Sequence, residues 1–416
     1  MPAELPSAHL PKQQQTVRIF LSGDVMTGRG IDQILPQPCD PTLHETYATS
    51  ALHYVQLAEE ANGPIPRQVG ASYVWGAALE ELNRTRPDAR IINLETSITH
   101  SATFAPKGIN YRMSPENAAC LSAAGVDCCV LANNHILDWG RTGLLDTLAT
   151  LNKLKIKFAG AGRDIAQASA PAILDIGSGA RVVVFALASA TSGVPGSWAA
   201  THEAAGINLL TDISDGSVAR ITEQVKEVRR PSDVIIVSIH WGPNWGYAIP
   251  GGQMRFVHSL LDRAPISIVH GHSSHHPKAI EVYQNRLILY GCGDFLNDYE
   301  GIAGYEQFRD DLALMYFADV NPATADIVAL KMTPLQIRRF QLVAPSSADV
   351  DWLLGSLDRE SRRFGSRVEL DPDGRLTLCG VSALFPVAKF LDVSCRKPPF
   401  LRAIFAGASA MFKSSC

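Results

Sequence analysis

Apolar positions recur along this chain with two different periods. From about residue 16 to residue 300, short β-branched runs that read as buried strands alternate with stretches whose apolar residues return every three or four positions. The strand-like runs are 17–21, 91–92, 128–131, 156–159, 181–187, 234–237, 266–269 and 287–290. The helical pattern predicts a helix over 71–84, with Val74, Ala78 and Leu82 on one face and Pro87 as its stop. A second is expected over 114–124, with Ser114 as N-cap and Pro115 as first helical residue. Others span 142–154 and 215–229, the latter with Val218, Ile221, Val225 and Val228 on one stripe. Later, 312–319 and 325–332 predict an antiparallel hairpin around Asn321-Pro322, and 349–364 an amphipathic helix. Asp371-Pro372-Asp373-Gly374 is the turn of a further strand pair. Residues 36–70 break the pattern: rich in Pro, Gly and polar residues, they form a candidate lid or substrate loop. The alternation predicts an α/β protein.

Polar residues are not scattered through this pattern; they follow the apolar runs. Gly23-Asp24 follows the first, Asn93-Leu94-Glu95 the second, Asn133-Asn134-His135 the third, and His240-Trp241-Gly242 the run 234–237. Gly271-His272-Ser273-Ser274-His275-His276 follows the run 266–269 and places three imidazoles within five residues. Polar groups at the carboxyl ends of successive strands are the layout of an α/β active site, and clustered imidazoles with carboxylates suit a metal.

Each candidate has its own chemistry. Asp24 beside a flexible glycine can hold a divalent cation, and Arg29 can grip a phosphate or carboxylate. Glu95 shares a strand face with Asn93 and is placed to bridge two cations. Asn134 offers a neutral amide oxygen, His135 a general acid, and Asp138 a partner for the other nitrogen of that imidazole. His240 ends a very apolar run. Of His270, His272, His275 and His276, not all can be ligands, and His270 is the expected core member. Cys292, between glycines, reads as a buried thiol rather than a nucleophile.

Composition narrows the class. The chain has 416 residues, 46% hydrophobic and 19% charged, with net charge −4, which argues against a nucleic-acid surface. Eight cysteines show no C-x-x-C spacing, the first fifteen residues have no apolar signal-peptide core, and no apolar run reaches membrane-spanning length. The expectation is a soluble cytoplasmic enzyme with no membrane and no nucleic-acid partner; self-association into a homo-oligomer is left open.

These motifs, in this order, resemble the CapA family of poly-γ-glutamate capsule synthesis proteins, itself similar to the calcineurin-like metallophosphoesterases. The motifs are Gly23-Asp24-Val25-Met26, Asn93-Leu94-Glu95-Thr96, Asn133-Asn134-His135, His240-Trp241-Gly242 and Gly271-His272-Ser273-Ser274-His275-His276. Ile280-Glu281-Val282-Tyr283 and the segment from Tyr290 to Glu300 follow them, so the resemblance covers roughly residues 16–380. It implies a four-layer αββα sandwich in a domain spanning 16–335, a helix-plus-hairpin continuation at 336–380, and a tail of unassigned role at 381–416. It implies two divalent cations (Mn, Fe or Zn). Asp24 and His275 (or His276) would hold the first, Asn134, His240 and His272 the second, and Glu95 both. His135 would be the general acid, with Asp138 and Arg29 supporting catalysis. Two departures stand out: Met26 occupies the histidine position of the first motif, and the bridging acid is Glu95 rather than aspartate.

The implied function is a metal-dependent hydrolase of a phosphoester or an amide such as a γ-glutamyl linkage, acting on a small molecule or a poly-γ-glutamate-like substrate. The alternative is a non-hydrolytic accessory protein of poly-γ-glutamate or related amide-bond synthesis. A third reading is a metal enzyme that forms or rearranges an amide in a small metabolite.

Overall fold

The structure is a computed structural model that describes residues 16–177 and 179–379; residues 1–15 and 380–416, which include the tail expected at 381–416, lie outside the described residues. Eight strands carry the argument: β1 (Val17–Val25), β2 (Ala89–Leu94), β3 (Cys128–Val130), β4 (Arg181–Ser189), β5 (Asp233–His240), β6 (Ile268–His272), β7 (Asp294–Leu296) and β8 (Leu312–Val320). In the first sheet β1, β2, β3 and Lys157–Ala159 run parallel, with β8 antiparallel on the other side of β1. The hairpin partner Ile327–Arg338 and the pair Arg367–Leu370 and Leu376–Cys379 extend that side. In the second sheet β4, β5, β6 and Arg286–Leu289 are parallel, and Ala172–Asp175 and Ile280–Tyr283 add antiparallel strands.

Alternation along β4 and β5 explains the layering. Val182, Val184, Ala186, Val234 and Ile236 join the core shared with the first sheet. The alternate set, Val183, Phe185, Leu187, Ile235, Val237 and Ile239, packs on α-helices Asp215–Val228 and Gly251–Arg263. Helices Ala77–Thr85 and Gly140–Lys153 cover the first sheet through Ala78, Leu82, Leu144, Leu148 and Leu151. The protein is therefore a four-layer αββα sandwich, as the resemblance implies. Strands apolar on both faces are what two buried sheets require.

Several local expectations are met with altered boundaries. Ser114 accepts the Glu116 backbone N–H and opens a short 3-10 turn at Pro115–Ala118 that runs into Ala119–Ala123. The helix expected over 71–84 is broken. A 3-10 turn at Tyr73–Trp75 ends at Gly76, where φ is +38° and a Cβ would lie 2.1 Å from the Leu342 carbonyl oxygen, so only glycine fits. The 36–70 segment is not wholly irregular, because Leu52–Asn62 is helical with Tyr54, Val55 and Ala58 buried. Helix Gly251–Arg263 was not anticipated; its Gly-Gly opening has poor propensity, and Phe256, Val257, Leu260 and Leu261 fold it by packing on the second sheet.

Ile236 lies fully buried between the sheets. Ile236→Ala is expected to cost about 2–5 kcal/mol and lower the urea midpoint without changing m. A loss below about 1 kcal/mol would contradict its place in the inter-sheet core.

Candidate metal centre

The two sheets bring their carboxyl ends together. In the first, Asp24 at the end of β1 is in register with Asn93 of β2 on one side and Asp294 of β7 on the other. In the second, His240 and His272 stand side by side at the ends of β5 and β6. The sheets meet where the His272 Nδ1 comes within 3.8 Å of Asp24 Oδ1. Ser273, the next residue, has φ of +99°, and from that strained backbone its N–H donates to Asp24 Oδ2 at 3.2 Å.

A chain of hydrogen bonds fixes which imidazole nitrogen faces the cluster. The Ser22 carbonyl can only accept, so His270 donates to it through Nε2–H at 2.8 Å. Burial drives the pKa of His270 down to about 4, so its Nδ1 is an acceptor and takes the Ser238 hydroxyl proton at 3.1 Å. Ser238 Oγ then accepts from His272 Nε2–H at 2.8 Å. This leaves a lone pair on His272 Nδ1. His240 gives its Nε2–H to Asn134 Oδ1 at 3.0 Å, so its Nδ1 also carries a lone pair, 2.8 Å from that of His272. Two facing lone pairs repel, and a cation between them and Asp24 relieves the repulsion.

The carboxylates tell the same story. Asp24, Glu95 and Asp294 are each at most 1% exposed. Burial, with the neighbouring charge of Asp294, pushes the pKa of Asp24 up to about 7; burial and the charge of Asp24 raise Glu95 well above its ordinary range. The donor atoms form two triads that share Asp24. Asp24, His240 and His272 make one, Asp24, His275 and Asp294 the other, each with atoms within 4.8 Å of one another. The residues fit divalent cations: nitrogen and carboxylate donors, buried, with like charges that a cation would neutralise.

Asp294 is the member that the ligand set implied by the motifs lacks. Its Oδ1 lies 2.8 Å from His275 Nδ1, and Asn297 donates to its Oδ2 at 2.8 Å. The only signal was its place at the start of a short strand after Gly293. Of the two adjacent histidines, His275 joins the cluster. His276 accepts the Gly246 N–H through Nε2 at 3.0 Å and packs among Trp245, Tyr247 and Phe308.

Glu95 Oε1 stands 3.8 Å from His240 Nε2 and 3.7 Å from His135 Nε2. His135 gives its Nδ1–H to Asp138 Oδ2 at 2.6 Å, so its Nε2 faces the cluster. Asp138 is in turn held by the Tyr111 backbone N–H at 2.6 Å and by Lys107 Nζ at 2.7 Å. Lys107, from a loop without periodicity, also donates to the Asn134 carbonyl and was not singled out from sequence. Burial drives the pKa of His135 down to about 4, so its ring is neutral. Arg29 is enclosed: its guanidinium donates to Asp298 at 2.5 and 3.2 Å and to Glu45 at 3.0 Å, and lies over Tyr54. Cys292 is buried, and its thiol pKa is raised well above the ordinary value, which suits no nucleophile.

The comparisons with known proteins agree with the family resemblance. Residues 18–299 match the family described as bacterial capsule synthesis protein PGA_cap. A probable polyglutamine synthesis accessory protein of Mycobacterium tuberculosis is 48% identical over 362 residues, 86% of this chain and 95% of that one. The PGA biosynthesis protein CapA of Bacillus subtilis is 24% identical over 85% of this chain and 80% of its own. A solved structure of a novel phosphatase from Mycoplasma pneumoniae overlaps 80% of this chain and 96% of its own, at 11% identity and a TM-score of 0.43.

Cation binding must displace protons from the raised carboxyls, whereas His240 and His272, whose pKa values burial lowers well below the usual range, are already neutral. Affinity for Mn²⁺ is therefore expected to weaken as pH falls through about 7, with net proton release. Calorimetry in buffers of different ionisation enthalpy reads that release directly. A pH-independent affinity without it would remove the carboxyls from the binding step.

Proposed function

The chain belongs to the bacterial capsule synthesis protein family PGA_cap, and from that membership and the buried cluster we propose that it is a metal-dependent hydrolase of an amide or phosphoester bond. The observation that carries this reading is the pair of donor triads sharing Asp24, set beside the His135–Asp138 pair. Asp24, His240 and His272 would hold one cation and Asp24, His275 and Asp294 the other, with Glu95 and Asn134 completing the sites. Bound there, divalent cations supply Lewis acidity, making water nucleophilic near neutral pH and offsetting charge on the reacting oxygens.

The protein groups do the rest. Asp138 orients His135 through Nδ1, and Lys107 fixes Asp138. A neutral ring must first gain the proton it later gives. His135 Nε2 therefore takes a proton from the attacking water and returns it to the leaving atom, the acid role expected for it in the second half of the reaction. Arg29 acts by position: with its charge taken by Asp298 and Glu45, it anchors the 36–70 segment to the end of β1.

A second reading has a specific observation behind it: the mycobacterial relative is named as a probable accessory protein of polyglutamine synthesis. In that case the cluster would be structural, and the protein would co-purify with an amide-forming partner. The described residues include no helix long and apolar enough to cross a membrane.

Metal analysis by mass spectrometry on protein purified without added metal, paired with turnover of bis-p-nitrophenyl phosphate and γ-glutamyl-p-nitroanilide, tests the reading. About two equivalents of Mn, Fe or Zn are expected, lost in His240→Ala. His135→Ala should keep its metal and lose roughly 10²–10⁴-fold in kcat. Full metal without turnover of either substrate would favour the accessory reading, and unchanged turnover in both variants would remove this centre from the reaction.

A further inference from the structure

A pair of phenols beside the centre has no part in the reading above. The hydroxyls of Tyr111 and Tyr299 are 2.7 Å apart. The Tyr111 ring packs edge-on against His135 at 4.3 Å, and the Tyr299 ring against His275 at 5.4 Å. The pair thus links the proton-transfer residue to the Asp24–His275–Asp294 triad. Behind both rings lies the Arg29 guanidinium, 4.5 Å from the Tyr111 ring and 5.9 Å from that of Tyr299.

Two phenols carry two protons, and only one is used between them. The other partner within reach is Met26 Sδ, 3.5 Å from the Tyr299 oxygen. A thioether is a weak acceptor, so one buried donor is held against a poor partner. Tyr111 is 1% exposed, whereas Tyr299 is half-buried and lines a cavity of about 200 Å³ with Asn297, Glu300 and Asp310. The cavity thus borders Tyr299. Its Glu300 carboxylate is occupied by the Arg339 and Phe340 N–H groups and by Asn62. Asp310 has no side-chain hydrogen bond among the described residues; only its carbonyl accepts, from Asn297.

We propose that Tyr299, backed by Tyr111, is the hydrogen-bond donor for a single anionic oxygen of the substrate, either a phosphoryl oxygen or the oxyanion of a tetrahedral amide adduct. The inference rests on the hydrolase reading. Exchanging the thioether for a charged oxygen strengthens the bond, and a donor already oriented and desolvated needs no rearrangement when charge develops. Met26 acquires a role in this arrangement: it keeps the phenol in place without competing for its proton.

The test uses inorganic phosphate as the tetrahedral oxyanion, titrated calorimetrically into the Mn²⁺-loaded full chain. Wild type is expected to bind, with a near-ultraviolet difference band from the perturbed phenol. Tyr299→Phe should weaken binding by ~10-fold or more with metal content unchanged. Tyr111→Phe, which leaves the Tyr299 hydroxyl in place, should weaken it less. Equal affinity in wild type and Tyr299→Phe overturns the proposal, and so does a metal-loaded wild type that binds no phosphate. In the amide arm, Tyr299→Phe should lower kcat on γ-glutamyl-p-nitroanilide more than it raises KM; in the phosphoester arm the same split should appear on bis-p-nitrophenyl phosphate. Turnover retained in wild type while the phosphate arm fails removes the donor role alone; loss of both metal and turnover removes the hydrolase reading with it.

Discussion

The candidate centre depends on a directed run of hydrogen bonds that begins at a main-chain carbonyl in one sheet and ends at the free lone pair of His272 in the other. Ser22 cannot donate through its carbonyl, so the sense of every later bond through His270, Ser238 and His272 is set. The run does two things together. It ties β1 to β5 and β6 across the sandwich, and it orients His272 toward Asp24. Without it the facing imidazoles could turn their N–H groups inward and cancel the site. The carboxyl groups add the opposing pressure: each one ionised makes its buried neighbours harder to ionise, and the pKa values of Asp24 and Glu95 rise accordingly. The protein keeps Asp24, Glu95 and Asp294 buried despite that repulsion, an arrangement that favours a bound cation over an empty apolar core.

Much of this was readable before any coordinates. Parallel strands buried on both faces leave uninterrupted apolar runs, so a polar residue at the end of each run stands out. Asp24, Glu95, Asn134, His240 and His272 all had that signature, and all lie at the meeting of the two sheets. What escaped lacked a periodic neighbour. Asp294 opens a three-residue strand among glycines, and Lys107 sits in an irregular loop whose course depends on where Asp138 lies. The choice between His275 and His276 could not come from strand alternation, because β6 ends at His272. It was decided by an aromatic box built from Trp245, Tyr247 and Phe308.

Arg29 shows the other kind of difficulty. A lone arginine near a candidate site reads as a substrate-binding cation, but its partners are Glu45, 16 residues on, and Asp298, 269 residues on. Paired on both sides and stacked between aromatic rings, it organises the walls. The 36–70 segment reaches it through Glu45 and Tyr54, the loop before Arg112 through Tyr111, and the segment after β7 through Asp298 and Tyr299. Three stretches far apart in sequence share one cation, so the shape of the mouth is set collectively.

The position of β1 bears on how the molecule comes into being. The first strand among the described residues is flanked by β2 and by β8, whose residues Leu312–Val320 are paired with it in an antiparallel ladder, and Arg18 is clamped to Asp319 at 2.6 Å. During synthesis β1 must wait, half-paired, until some three hundred later residues have left the ribosome. Asp24 and Asp294 can become neighbours only after that wait. The centre is therefore a late product of folding, and a cation captured there reports that nearly the whole chain has closed.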